Sequence, residues 1–264
     1  LRWKAPQSVT PWDGVRKCVD LPASAMQENP VPFFCWSKEF LIPDEPISED
    51  CLYLNIWTPA RTANDRLPVM VWIHGGGFSA GSGTVPLYDG EAMARKGILF
   101  ITINYRLGIF GFLSHPELSN ESPYKTSGNY GILDQIAALQ WVKDNIVAFG
   151  GDPNNVTIAG QSAGAFSVNV LMASPLAKGL FQKAIAESGG MFGKKFLLGN
   201  SLREAEKTGK QLTDKLGAIS INDLRNVSAD SLLKIPGQYN LTIDSIIIPP
   251  VYETFVLGKQ SDVP

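Results

Sequence analysis

Val156-Thr-Ile-Ala-Gly160-Gln-Ser162-Ala-Gly164-Ala-Phe-Ser-Val-Asn-Val-Leu-Met-Ala173 is the stretch whose reading decides the fold. Four strand-forming residues run into Gly-Gln-Ser-Ala-Gly, and an apolar helical pattern follows from Ser162 to Ala173. A serine flanked by glycines two residues away on each side, between a strand and a helix, is the pattern of a nucleophile elbow. The chain must reverse sharply there, which leaves the serine in a strained backbone conformation. Glycines at 160 and 164 let strand and helix pass where a Cβ would clash. The helix N-terminus beneath Ser162 favours developing negative charge.

Upstream, Leu67 to His74 is a continuous apolar run that ends in three glycines, so it reads as a fully buried strand followed by a glycine loop. Acyl transfer places negative charge on a former carbonyl oxygen, and glycine-rich backbone supplies N–H donors without side chains in the way. The expected oxyanion donors are Gly76, Gly77 and Ala163. A phosphate loop is excluded because no Lys follows at the P-loop spacing. Further strands are expected at Cys51–Trp57, Leu99–Tyr105 and Lys183–Glu187. Ile132–Val147 carries Ile136, Leu139, Val142 and Ile146 on one helical face, Leu202–Leu216 reads as a charged surface helix, and Asn222–Leu233 as a short helical pair. Buried strands alternating with helices imply an α/β fold, a mostly parallel central sheet with helices on both faces.

The 264 residues are 44% hydrophobic and 18% charged, enough to bury a core. A net charge of −2 with no basic block speaks against a nucleic-acid partner, and no apolar run is long enough for a membrane span. Cys18, Cys35 and Cys51 lack metal-site spacing, so no metal or cofactor is expected, and their pairing is open between one disulfide and three thiols. Four Asn-x-Ser/Thr sequons, at Asn120, Asn155, Asn226 and Asn240, are short enough to arise by chance.

With both motifs in this order, the chain resembles the type-B carboxylesterase family, in its bacterial-type branch. The matching stretches are Glu49-Asp-Cys-Leu-Tyr-Leu-Asn-Ile-Trp57, Trp72-Ile-His-Gly-Gly-Gly-Phe78, Asn104-Tyr-Arg-Leu-Gly108, Gly131-Ile-Leu-Asp-Gln135, Phe149-Gly-Gly-Asp-Pro153 and the elbow. The resemblance implies an α/β-hydrolase fold, hydrolysis of small-molecule carboxylic esters, and structural ion pairs Arg2–Glu49 and Arg106–Asp134. The cholinesterase branch has Glu before the nucleophile and a choline-binding tryptophan ten residues before the first-motif cysteine. Here these positions are Gln161 and Leu41, so quaternary ammonium recognition is not implied. The position of the family's usual partner for Cys51 falls near Ala25, which cannot bond. Exported relatives tilt the expected location towards secreted or periplasmic; the oligomeric state stays open.

A serine needs an adjacent base, and the triad order in this fold is Ser, then Asp or Glu, then His. No histidine follows Ser162; His74 is expected to pack beneath the hole and His115 to be a loop residue. The resemblance places the triad acid and histidine beyond Pro264, so residues 1–264 are expected to be a single incomplete α/β-hydrolase domain, truncated at both ends and inactive alone. Within it, 1–50 reads as an irregular covering segment, 51–190 as the sheet core and 191–264 as a helical insertion region. Phe78, Phe110 and Phe112 are candidate aromatic walls, with core packing favoured for the last two. The rival readings are a non-catalytic interaction protein of the same fold and a lipase or peptidase on the same scaffold.

Overall fold

The computed structural model describes residues 2–29, 31–32, 36–43, 46–191, 199–217, 220–237 and 239–264; Cys35 lies outside them. Five strands form the central sheet: β1 (Leu54–Trp57), β2 (Leu67–Ile73), β3 (Leu99–Ile103), β4 (Gly151–Gln161) and β5 (Lys183–Glu187). Their order is β1-β3-β2-β4-β5, antiparallel at β1–β3 and parallel at the other three pairings. The helices crossing between parallel strands are α1 (Glu91–Ala94), α4 (Tyr130–Asn145) and α5 (Ala163–Ala173). The first connects β2 to β3 in one direction; the other two step back the opposite way. Right-handed crossovers therefore put helices on both faces of the sheet.

The helix of 130–145 buries Leu139 and Val142 against the core, and a tight turn carries Ile146 into it as well. Two expectations about the strands need correction. β2 alternates: Val69, Val71 and Ile73 are buried while Met70 and Trp72 are half-buried. The α1 connection covers its second face only partly, and Trp72 leans on Tyr88 with rings 5.4 Å apart. β5 is mostly exposed, Ile185 included, because it has one strand neighbour among the described residues. On its other edge the Ala184 N–H donates to the Pro264 carbonyl at 2.9 Å.

Between β3 and α4 lie α2 (Gly108–Phe112) and α3 (Pro116–Glu121). Beyond β5 come α6 (Leu202–Lys215), α7 (Ile221–Asn226), α8 (Ala229–Leu233) and α9 (Val251–Val256). Ser201 with Glu204 and Ser220 with Asp223 form capping boxes, each serine accepting from a backbone N–H that the first turn leaves unpaired. No helix of the described residues is long and apolar enough to cross a membrane.

Both ion pairs implied by the sequence are present. Arg2 grips Glu49 through Nε at 2.9 Å and through Nη2. Arg106 holds Asp134 bidentately at 2.7 and 2.6 Å, with both side chains out of solvent. Asp134 also accepts the Arg106 backbone N–H at 3.0 Å, tying the end of β3 to α4. Asp134→Asn is expected to cost about 3–5 kcal/mol of stability, because the guanidinium stays buried without its counter-charge. Urea unfolding measures this, and a loss below about 1 kcal/mol would show that the pair fixes nothing.

Candidate active site

Neighbouring parallel strands bring the two glycine motifs together. Ile73 stands opposite Gly160 in the β2–β4 register. The loop that begins at His74 and the turn that begins at Gln161 therefore leave the sheet side by side, at its carboxyl ends, where open α/β sheets hold their ligands. The approach is close: a Cβ on Gly75 would lie 2.8 Å from the Gln161 carbonyl oxygen and 3.3 Å from Ser162 Cβ. At the crossing, a Cβ on Gly160 would meet the Gly164 carbonyl at 2.6 Å, and one on Gly164 would meet the Ile73 carbonyl oxygen at 2.0 Å.

Ser162 sits at φ 55, ψ −119, a region that side-chain-bearing residues rarely occupy. It is over-determined there: its N–H donates to the Glu187 carbonyl at 2.9 Å, and its carbonyl accepts the Phe166 N–H at 2.9 Å. No described side chain hydrogen-bonds Ser162 Oγ, and the residue is partly exposed.

Three backbone N–H groups beside it, those of Gly76, Gly77 and Ala163, make no hydrogen bond among the described residues. Their directions follow from the planarity of the peptide, in which N–H and C=O point opposite ways. The Gly75 carbonyl faces His74 Nδ1 at 2.8 Å, so the Gly76 N–H points away from that ring. The Gly76 carbonyl accepts from Ser79 and Ala80, both at 3.0 Å, so the Gly77 N–H points out of that turn. The Ser162 carbonyl is bound into α5, so the Ala163 N–H points off the helix start. Gly76 and Gly77 have φ of 101 and 61, and a Cβ on Gly77 would meet nothing within 4 Å, so its surroundings are open.

Neither histidine is available to Ser162. His74 is buried and stacked on Tyr105, ring centroids 4.4 Å apart, and its Nε2 has no partner among the described residues. A carbonyl oxygen can only accept, so Nδ1 carries the proton in the contact with Gly75. His115 is not a plain loop residue. It is the buried N-cap of α3, accepting the Glu117 N–H at Nδ1 and meeting Thr213 Oγ1 at 3.3 Å. Pro116 behind it starts the helix, and the ring takes a capping role normally filled by Ser or Asp. Glu187 reaches Ser162 only through its backbone, and Asp244 accepts from Thr126, Asn129 and three successive N–H groups in its own loop.

Burial pushes the His74 imidazole down from 6.5 to about 4. The folded state thus refuses a proton that the unfolded chain takes up, so this stability is complete above pH 6.5 and is lost as pH falls towards 4. Over 2.5 pH units at 1.36 kcal/mol each, its limit is roughly 3 kcal/mol. His115 shifts the same way, also by burial. His74→Asn keeps a donor near the Nδ1 position and removes the titration. Its melting temperature is expected to fall less than the parent's between pH 7 and 5, and equal falls would sink the assignment.

Phe110 and Phe112 are core residues, and Phe78 is buried with them, its ring 5.1 Å from Phe112. Cys51 and Cys18 are free thiols; burial pushes Cys51 up to about 12. Among the described residues, no group of three or more His, Cys, Asp or Glu could hold a metal ion. Two further residues touch the glycine loop, Tyr105 from the Asn104–Gly108 stretch and Gln27, which no sequence pattern marks. Tyr105 Oη donates to the His74 carbonyl at 2.9 Å, and Gln27, from the irregular N-terminal segment, binds both backbone polar groups of Gly81.

The description of the carboxylesterase family matches residues 1–262. The chain belongs to that family. Fumonisin B1 esterase of Sphingopyxis macrogoltabida is 52% identical over 238 residues, which are 89% of this chain and 41% of that protein. Para-nitrobenzyl esterase of Bacillus subtilis (strain 168) is 43% identical over 246 residues, 91% of this chain and 46% of that protein. Among solved structures, a Geobacillus stearothermophilus carboxylesterase superposes with a TM-score of 0.84 at 39% identity, covering 100% of this chain and 53% of that one. A thermophilic PNB esterase gives 0.85 at 37% identity, covering 100% and 55%. The fold is therefore the α/β-hydrolase fold of carboxylesterases, and the chain spans about half the length of the relatives it matches.

Proposed function

We propose that this carboxylesterase-family chain carries the nucleophile and the oxyanion hole of a serine esterase. Ser162 Oγ attacks the carbonyl carbon of a small-molecule carboxylic ester while a histidine takes its proton. The tetrahedral oxyanion rests on the N–H groups of Gly76, Gly77 and Ala163. The alcohol leaves with the proton returned by the histidine, and water then hydrolyses the acyl-enzyme by the same steps. The histidine and its acid partner lie outside residues 1–264. Two facts support that: both histidines here are spent on structure, and the relatives are about twice as long.

The observation that carries the reading is the conjunction at the sheet's carboxyl end. A serine is locked at positive φ beside three backbone donors that have no partner among the described residues, each aimed by an anchored carbonyl. A fluorophosphonate ester tests it on the full-length protein. The expected result is a single adduct on Ser162, formed at the rate at which p-nitrophenyl acetate hydrolysis is lost. Labelling elsewhere, or no labelling with activity intact, would overturn it.

A further inference from the structure

We infer that Gln27 is a positioning residue for the oxyanion hole, holding the His74–Gly75 end of the loop so that the Gly76 N–H faces the reacting oxygen. The inference rests on the acyl-enzyme reading above. Gln27 is 1% exposed, and its amide is fully used. Oε1 accepts the Gly81 N–H at 2.9 Å; Nε2 donates to the Gly81 carbonyl at 2.9 Å and to the Ala25 carbonyl at 3.0 Å. The side chain pairs with Gly81 as a neighbouring strand would.

Gly81 is where that grip becomes functional. Its φ is +106, and a Cβ on it would lie 2.4 Å from His74 Nδ1 and 2.7 Å from the Gly75 carbonyl oxygen. Those two atoms form the contact that orients the Gly75–Gly76 peptide. Displacing Gly81 therefore releases the plane of the peptide that carries one oxyanion donor. The far side of the clamp is itself anchored. Asn104 Nδ2 donates to the Ala23 carbonyl at 3.3 Å, while its Oδ1 accepts the Gly83 N–H at 2.8 Å, so one side chain ties both segments together. Ser24–Ala25 is also paired in parallel with Ile47–Ser48. The N-terminal segment is thereby a strut for the loop as well as a cover.

Gln27→Met in the full-length protein keeps the length of the side chain and removes all three bonds. A lost oxyanion donor lowers kcat about 10²- to 10³-fold, and a misaimed one less, so the expected fall is about 10- to 100-fold with KM within about threefold. Phosphonate titration counts folded sites, so kcat per site stays meaningful if part of the variant unfolds. Affinity for a trifluoromethyl ketone, which reproduces the oxyanion, is expected to fall in parallel with kcat/KM. Gln27→Glu keeps the acceptor for Gly81 and regains a donor only when protonated. Its kcat relative to the parent is expected to rise from pH 8 to pH 5, a trend that a purely structural glutamine would not produce. Parental kcat per titrated site in Gln27→Met, or a change in KM alone, would overturn the assignment. A parent protein that neither hydrolyses p-nitrophenyl acetate nor labels on Ser162 would overturn the reading of the site itself.

Discussion

Ser162→Gly is expected to abolish ester hydrolysis while raising the melting temperature. In a serine hydrolase, removing the nucleophile costs on the order of 10⁶-fold in kcat, and the rate left over comes from binding and the oxyanion donors. A fall of at least about 10⁴-fold in full-length protein is the threshold that supports the assignment. Stability moves the other way because Ser162 is held at φ 55, ψ −119, where a Cβ is strained by about 1–3 kcal/mol. Glycine adopts that region freely, so about 1 kcal/mol is recovered after its extra chain entropy is subtracted. That corresponds to a rise of about 2–4 °C in a domain of this size. Ser162→Ala separates the two effects: it loses the same activity but keeps the Cβ, so its melting temperature stays close to the parent's. Activity surviving in either variant would remove Ser162 from the mechanism. A glycine variant that melts below the alanine variant would show that the turn is not strained.

The turn at Ser162 and the glycine loop after Ile73 were legible in the sequence because each is a local device. Glycine spacing, an apolar run before and a helical pattern after are written within some ten residues. Their juxtaposition follows from two runs becoming adjacent parallel strands, with Ile73 opposite Gly160. Burial of individual strands was less legible. An apolar run such as Val69–Ile73 does not say which face its neighbours cover, and Lys183–Glu187 does not say how many neighbours it has. The supports of the site were not legible at all. Gln27 lies 54 residues from Gly81, in a segment with almost no regular structure. Side-chain to backbone bonds of that range leave no periodicity to read.

Gly164→Ala is expected to abolish folding, although alanine is the better helix former. On an isolated helix the substitution would gain about 1 kcal/mol. Here the added methyl would sit 2.0 Å from the Ile73 carbonyl oxygen, 2.9 Å from its carbon and 3.0 Å from the His74 carbonyl oxygen. All three are backbone atoms at the end of β2, the central strand that feeds the glycine loop, so no rotamer change can relieve the contact. Relief requires α5 to lift from the sheet, which undoes its burial of Val168, Val170 and Leu171. It also pulls Gly160 and Gly164 apart at the crossing. Overpacking usually costs about 1–3 kcal/mol where side chains can move; with backbone on both sides, more than about 4 kcal/mol is expected. That is a large share of a typical domain's 5–15 kcal/mol, so the variant should appear in inclusion bodies or melt far below the parent. Gly77→Ala is the control. Its φ is also positive, at 61, but the new methyl meets nothing within 4 Å, so only backbone strain of about 1–2 kcal/mol is added. It should fold and lose activity, because the methyl occupies the open space that the ester carbonyl needs. If Gly164→Ala folds normally, the helix does not cross the strand as closely as these distances require. If Gly77→Ala stays fully active, that loop does not face the substrate.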